Sequence, residues 1–197
     1  MKKNDALISA ILGFFIGIFL FIVLKNLEVK ISYLWLAIVA FPFLSILGIY
    51  IVSVLGKRFL IIYQAGKFLL VGALNTLVDL GILNILIWLT NIASGPWYPV
   101  FKGISFLVAV INSYFWNRKW TFEKKGELFV PGEFSKFLMV TAIGFLFNVG
   151  VASLVVNIVG PQFGMSAKLW ASVGAVSAAL VAWIWNFLSS KFIVFKK

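Results

Sequence analysis

Six stretches of this chain are apolar for long enough to cross a bilayer, and this fixes the solvent in which it must fold. A helix rising ~1.5 Å per residue needs about 20 such residues to span ~30 Å of hydrocarbon. The runs are Ala6–Leu24, Ile31–Leu55, Phe68–Thr90, Val100–Trp116, Phe137–Ile158 and Leu169–Ser190. Inside a bilayer no water satisfies the backbone, so each run must be helical. The expected fold class is an all-α integral membrane protein with six transmembrane helices. Composition agrees: 62% of the 197 residues are hydrophobic and 12% are charged, which excludes a soluble enzyme. The first run follows Lys2 and Lys3 as a signal peptide would, but Lys25-Asn26-Leu27-Glu28 follows it rather than a small-x-small cleavage site. It is expected to be retained.

The sequence holds 17 Lys+Arg against 6 Asp+Glu, for a formal charge of +11. The cations flank apolar runs, so the expected partners are anionic membrane lipids and not nucleic acid. Thirteen of them fall on one side of a six-span arrangement; Lys25, Lys30, Lys102 and Lys168 fall on the other. The positive-inside bias makes the first side cytoplasmic, giving a multi-pass protein of the cytoplasmic membrane with both termini inside. Cys and His are absent, which removes thiol nucleophiles, imidazole bases and the common zinc sites. No nucleophile–base pair, carboxylate pair or Gly-rich phosphate loop is visible either. The reading is therefore of a non-enzyme with no metal and no cofactor.

The last four spans read as a duplication. Lys67-Phe68-Leu69-Leu70-Val71-Gly72-Ala73 recurs at an offset of 69 as Lys136-Phe137-Leu138-Met139-Val140-Thr141-Ala142, with 7 identities in the 21 pairs from Lys67. Four residues inserted between the repeats move the offset to 73, where Arg118 matches Lys191 and Phe122 matches Phe195. Each copy is a two-helix hairpin, so the copies are parallel, with a site expected at their interface.

The residues that open and close these hairpins carry a family resemblance. Phe68 through Asn75 and Asp79, the tail Asn112-Ser-Tyr-Phe-Trp-Asn117-Arg118-Lys119-Trp120-Thr121-Phe122, the opening Lys136-Phe137-Leu138, and the closing Trp185-Asn186 through Lys191 and Phe195 resemble the GtrA-like family of four-span membrane proteins. The resemblance covers about residues 66–197. It implies a four-helix domain over 61–197 that moves or presents polyprenyl-phosphate-linked sugars for cell-surface polysaccharides, with a polyprenyl-phosphate glycosyltransferase as partner. Residues 1–60 depart from the pattern and read as an accessory transmembrane helix pair, similar to the pair that anchors such glycosyltransferases.

Two constellations carry the chemistry. Asp79 lies within a span, where a charge costs ~2.5–3.5 kcal/mol even on the lenient insertion scale and so demands partners or water. With Gly72 and Asn75 it forms a stripe whose counterpart is Thr141, Gly144 and Asn148. Asn75, Asp79, Asn112, Asn148 and Asn186 are the candidate residues for a cavity that accepts sugar hydroxyls; an interhelical clamp is the alternative. At the cytoplasmic end Asn117, Arg118, Lys119 and Lys191 are the candidate phosphate ligands, and Trp120 and Phe122 the candidate contacts to prenyl chain or sugar ring. Ordinary charge anchoring with an aromatic belt is the alternative there. Lys102 is expected to snorkel at the outer surface. Ser9, Gly13 and Gly17 make a small-residue face for close helix packing, within the chain or in a homo-oligomer. Three functions stay open: a lipid-linked sugar translocase, a proton-coupled exporter working through Asp79, and a non-transporting scaffold for a glycosyltransferase.

Overall fold

A computed structural model describes residues 2–26, 31–92 and 94–196. Lys30 and Lys197 of the charge tally lie outside the described residues, as do the side chains of Lys3 and Lys168. Among the described residues all regular structure is helical: α1 (Lys3–Asn26), α2 (Leu36–Leu55), α3 (Leu60–Thr90), α4 (Trp97–Trp116), α5 (Pro131–Ser153) and α6 (Ala167–Ser189). π-Helical turns extend α4 over Asn117–Thr121, α5 over Leu154–Val159 and α6 over Ser190–Val194. The chain forms two compact units, Met1–Glu123 and Lys124–Lys197.

Five helices among the described residues are long and apolar enough to cross a membrane: this is a multi-pass membrane protein. The sixth expected span, α4, has 20 residues, of which the side chain of Pro99 lies outside the described residues. It carries Lys102, Ser105 and Asn112, and the first two turn their polar atoms onto Asp79 of α3. A polar helix is tolerated in lipid when a neighbour satisfies it. α3 begins about two turns before the apolar run does, because Leu60–Lys67 continues the helix with mixed polarity.

In the first unit α1 packs on α2 through its small-residue face. A Cβ on Gly13 would stand 2.5 Å from the Phe41 carbonyl oxygen, and one on Gly17 would stand 2.7 Å from that of Ala37. The small-residue stripe therefore serves contact within the chain. The core combines Leu12 and Ile16 of α1, Ile49 of α2, Val71, Leu74 and Val78 of α3, Ala109 of α4 and Trp120 of the π turn.

The two hairpins share local geometry. Phe68 and Phe122 meet with ring centroids 6.2 Å apart, and Phe137 and Phe195 with centroids 5.8 Å apart. Asn91 (φ 56°) ends α3 and Gly95 (φ 76°) turns the chain; Gly160 (φ 66°) and Gly164 (φ 72°) do the same after α5. Asn91 and Gly160, and Gly95 and Gly164, each stand 69 positions apart.

Candidate functional site

The best-built polar cluster lies at the start of α1 and α3, where the sequence had offered only flanking charges. Lys67 is 1% exposed, and its Nζ lies 2.8 Å from Asp5 Oδ1 and 3.5 Å from Glu123 Oε1. Asp5 accepts a hydrogen bond from Trp120 Nε1 at 2.8 Å, a second from the Tyr63 hydroxyl, and a third from the Lys2 backbone N–H at 3.0 Å. The ammonium also stands 4.6 Å from the Tyr63 ring centroid and 5.2 Å from that of Trp120, within range of a cation–π attraction. A buried charge persists only when paired and hydrogen-bonded in this way. Asp5 escaped notice because it precedes the apolar run by one residue. The available signal was Tyr63 and Lys67 at i, i+4 on one helix face, which asked for an acid.

Beside this cluster a cavity of about 330 Å³ is lined by Lys2, Asn4, Asp5, Lys119, Trp120 and Glu123. Lys2 and Glu123 form an ion pair at its edge. Burial alone would raise the Glu123 carboxyl, but the Lys2 hydrogen bond and the charges of Lys67 and Lys2 outweigh it and hold the group below its ordinary value.

Of the four expected phosphate ligands, Lys119 is exposed and faces this cavity. Asn117 and Arg118 do not present themselves as expected: Arg118 is 3% exposed and Asn117 is also buried. Positions 117, 118, 120 and 121 face inward and 119 outward, the same facing that 100° per residue gives five consecutive helical positions. Trp120 and Phe122, the expected contacts for prenyl chain or sugar ring, point inward as well. Both are core residues, one bonded to Asp5 and one packed on Phe68. Lys191 is half-buried, with its ammonium 5.7 Å from the Phe192 ring.

Deeper in the same hairpin, Asp79 forms an ion pair with Lys102 and accepts a hydrogen bond from Ser105 Oγ at 2.6 Å. Lys102 therefore reaches inward to a carboxylate and does not snorkel. Between this rung and the Lys67–Trp120 rung, the antiparallel register sets Asn75 at the level of Asn112. Asn75 Oδ1 and Asn112 Nδ2 are both buried without a hydrogen-bond partner. In the second unit Asn186 Oδ1 is likewise orphaned, and it fills the space left by Gly144: a Cβ there would stand 2.2 Å from it. Gly144 stands 69 positions after Asn75; the first hairpin holds two such amides at one level, Asn75 and Asn112, and the second holds Asn186. Asn148 is half-buried one turn further along α5.

Fold and site together define a polytopic α-helical membrane protein with polar groups held at depth inside a helical hairpin. GtrA/DPMS, transmembrane domain, is the family that matches, over residues 67–195. The chain belongs to this GtrA-like family. It is also similar to the uncharacterized membrane protein YngA of Bacillus subtilis (strain 168), 35% identical over 77 residues that make up 38% of this chain and 47% of that protein. The chain thus spans about half the length of that curated relative. No solved structure matches it significantly.

Proposed function

We propose that this protein carries a polyprenyl-phosphate-linked sugar across the cytoplasmic membrane, for polysaccharide synthesis or glycosylation. Family membership supports a role in handling lipid-linked sugars. The observation that carries the finer reading is the orphaned pair within the first hairpin, an acceptor on Asn75 and a donor on Asn112 at one depth. A buried unsatisfied polar atom costs ~1–3 kcal/mol. A hydroxyl both donates and accepts, so one sugar hydroxyl completes both amides, and Asn186 offers the second hairpin the same chemistry.

In this reading the head group enters at the cavity by Lys119 and Lys2, whose ammonium groups receive the phosphate. Glu123 holds Lys2 until the phosphate replaces it. The hydroxyls pass to Asn75 and Asn112 while Asp79, neutralised by Lys102, supplies acceptors beside them. The prenyl chain stays in lipid. Pairing with Lys102 and Ser105 occupies the Asp79 carboxylate that an exporter would have to offer a cationic cargo, which favours this role over cation export. Matching ring pairs and turns in the two hairpins support a parallel duplication. Residues 1–60 act as an accessory pair whose Asp5 anchors it to Lys67. Both termini are cytoplasmic, and the partner is a polyprenyl-phosphate glycosyltransferase.

Binding tests the orphaned-pair argument. An Asn75→Leu/Asn112→Leu protein that stays monodisperse is expected to lose most of its preference for farnesyl-phosphate-linked hexose over farnesyl phosphate alone. An unchanged preference would show that the amides do not receive the sugar.

A further inference from the structure

The far end of the first unit carries a second cavity, apolar with a few polar groups, that the Lys119 seat does not use. Phe21, Lys25 and Asn26 near the end of α1, with Asn84, Ile85 and Trp88 near the end of α3, line a space of about 450 Å³. Asp5 and Lys25 are 20 positions apart on one helix, or ~30 Å at 1.5 Å per residue. That is the thickness of the hydrocarbon core, so the two cavities lie at opposite faces of the membrane.

The groups here are complementary to a phosphate that bears a polyol. Among the described residues Lys25 makes no ion pair, and its ammonium rests 5.7 Å from the Phe21 ring centroid. Asn26 Nδ2 donates to Asn84 Oδ1 at 2.7 Å, and Asn84 Nδ2 donates to the Leu80 carbonyl at 2.8 Å. By the donor inventory of an amide, Asn26 keeps its Oδ1 and one N–H, and Asn84 keeps one N–H. These are an acceptor and two donors for hydroxyl groups. Trp88 is 69% exposed beside them, and its indole is a flat apolar platform for a sugar ring. Lys and Trp at an interface are ordinary anchors; a cross-helix amide pair between them is not part of that pattern. On α3, Asn84 turns to α1 while Asp79 turns to α4, so this cavity is separate from the Asp79 rung.

We propose that Lys25, Asn26, Asn84 and Trp88 form a second head-group site, which holds the phosphate and sugar of a glycosylated prenyl-phosphate lipid on the membrane face opposite Lys119. The identity of the lipid rests on the function proposed above. Phosphate sits on Lys25, hydroxyls on the two amides, and the ring on Trp88.

The test is equilibrium binding of radiolabelled farnesyl-phosphate-linked hexose to the full chain in detergent. Wild type should bind two equivalents. A Lys25→Gln/Trp88→Leu protein should bind one, because about tenfold or more of affinity is lost at this site, and Lys119→Gln should also bind one. Both altered positions are exposed, and an unchanged melting temperature certifies each protein. Two equivalents in the Lys25/Trp88 variant would overturn this site and leave the Lys119 seat standing. Two equivalents in Lys119→Gln with one in the Lys25/Trp88 variant would overturn the Lys119 seat and keep this one. Equal competition by soluble hexose 1-phosphate and by the lipid would overturn a lipid site. Trp88→Leu with full preference for hexose-bearing over bare farnesyl phosphate would overturn the sugar platform.

Discussion

Removing the Asp5 carboxylate should be the most damaging single change in the first unit. Asp5→Ala leaves Lys67, 1% exposed, with Glu123 at 3.5 Å as its remaining counter-ion among the described residues. It also strands the Trp120 indole N–H, which donates to Asp5 at 2.8 Å. Breaking one partner of a buried pair costs ~3–5 kcal/mol, and an orphaned donor belongs within that range. At roughly 2–4 °C per kcal/mol for a chain of this size, the melting temperature should fall on the order of 10 °C. Asp5→Asn keeps a carbonyl for Trp120 and should fall less. Asp5→Leu/Lys67→Met removes both charges and should recover most of the loss, because apolar replacements of a buried pair are often neutral. Tryptophan fluorescence of the purified protein in detergent follows the transition. The reasoning is refuted if Asp5→Ala melts within 2 °C of wild type, or if the double variant melts no higher than Asp5→Ala; a 2 °C change corresponds to about 1 kcal/mol or less.

Two smaller effects follow from the same geometry. Gly13→Val should weaken α1–α2 packing by ~1–3 kcal/mol, since its Cβ would meet the Phe41 carbonyl oxygen at 2.5 Å, whereas Gly48→Ala, with nothing within 4 Å, should melt like wild type or slightly higher. Glu123 is held below its ordinary value of 4.5, so its pairing stabilises the fold at pH above that value and is lost as pH falls through the lower folded value. Melting curves in that acid window should show a decline that Glu123→Gln lacks, and an identical decline in the variant would remove Glu123 as its source.

Helix number and rough position were legible because lipid permits few alternatives: a long apolar run must be helical, and the Gly13/Gly17 face pointed to a close neighbour. Cross-helix partners were not legible. Lys102 reads as a snorkelling cation on its own helix, and only the antiparallel register of α3 and α4 puts Asp79 in its reach. Asp5 sat one residue outside an apolar run, so a window built on hydropathy discarded it. Arg118 and Trp120 lie on the buried face of the Asn117–Thr121 turn, which only the packing of neighbouring helices reveals. Asn75 was legible from the stripe it forms with Gly72 and Asp79, and Asn112 as an amide inside the next span; the structure adds that each leaves an atom unpaired.

Head-group translocation in proteoliposomes tests the central claim most directly. Purified wild type is reconstituted with farnesyl-phosphate-linked hexose in both leaflets, and an impermeant periodate reagent reports how much becomes accessible from outside. Wild type should expose nearly all of the lipid and empty liposomes about half; Asp79→Leu and Asn75→Leu/Asn112→Leu should stay near the empty value while remaining monodisperse. Wild-type protein that leaves the inner half protected would contradict translocation and make the protein a scaffold for the glycosyltransferase.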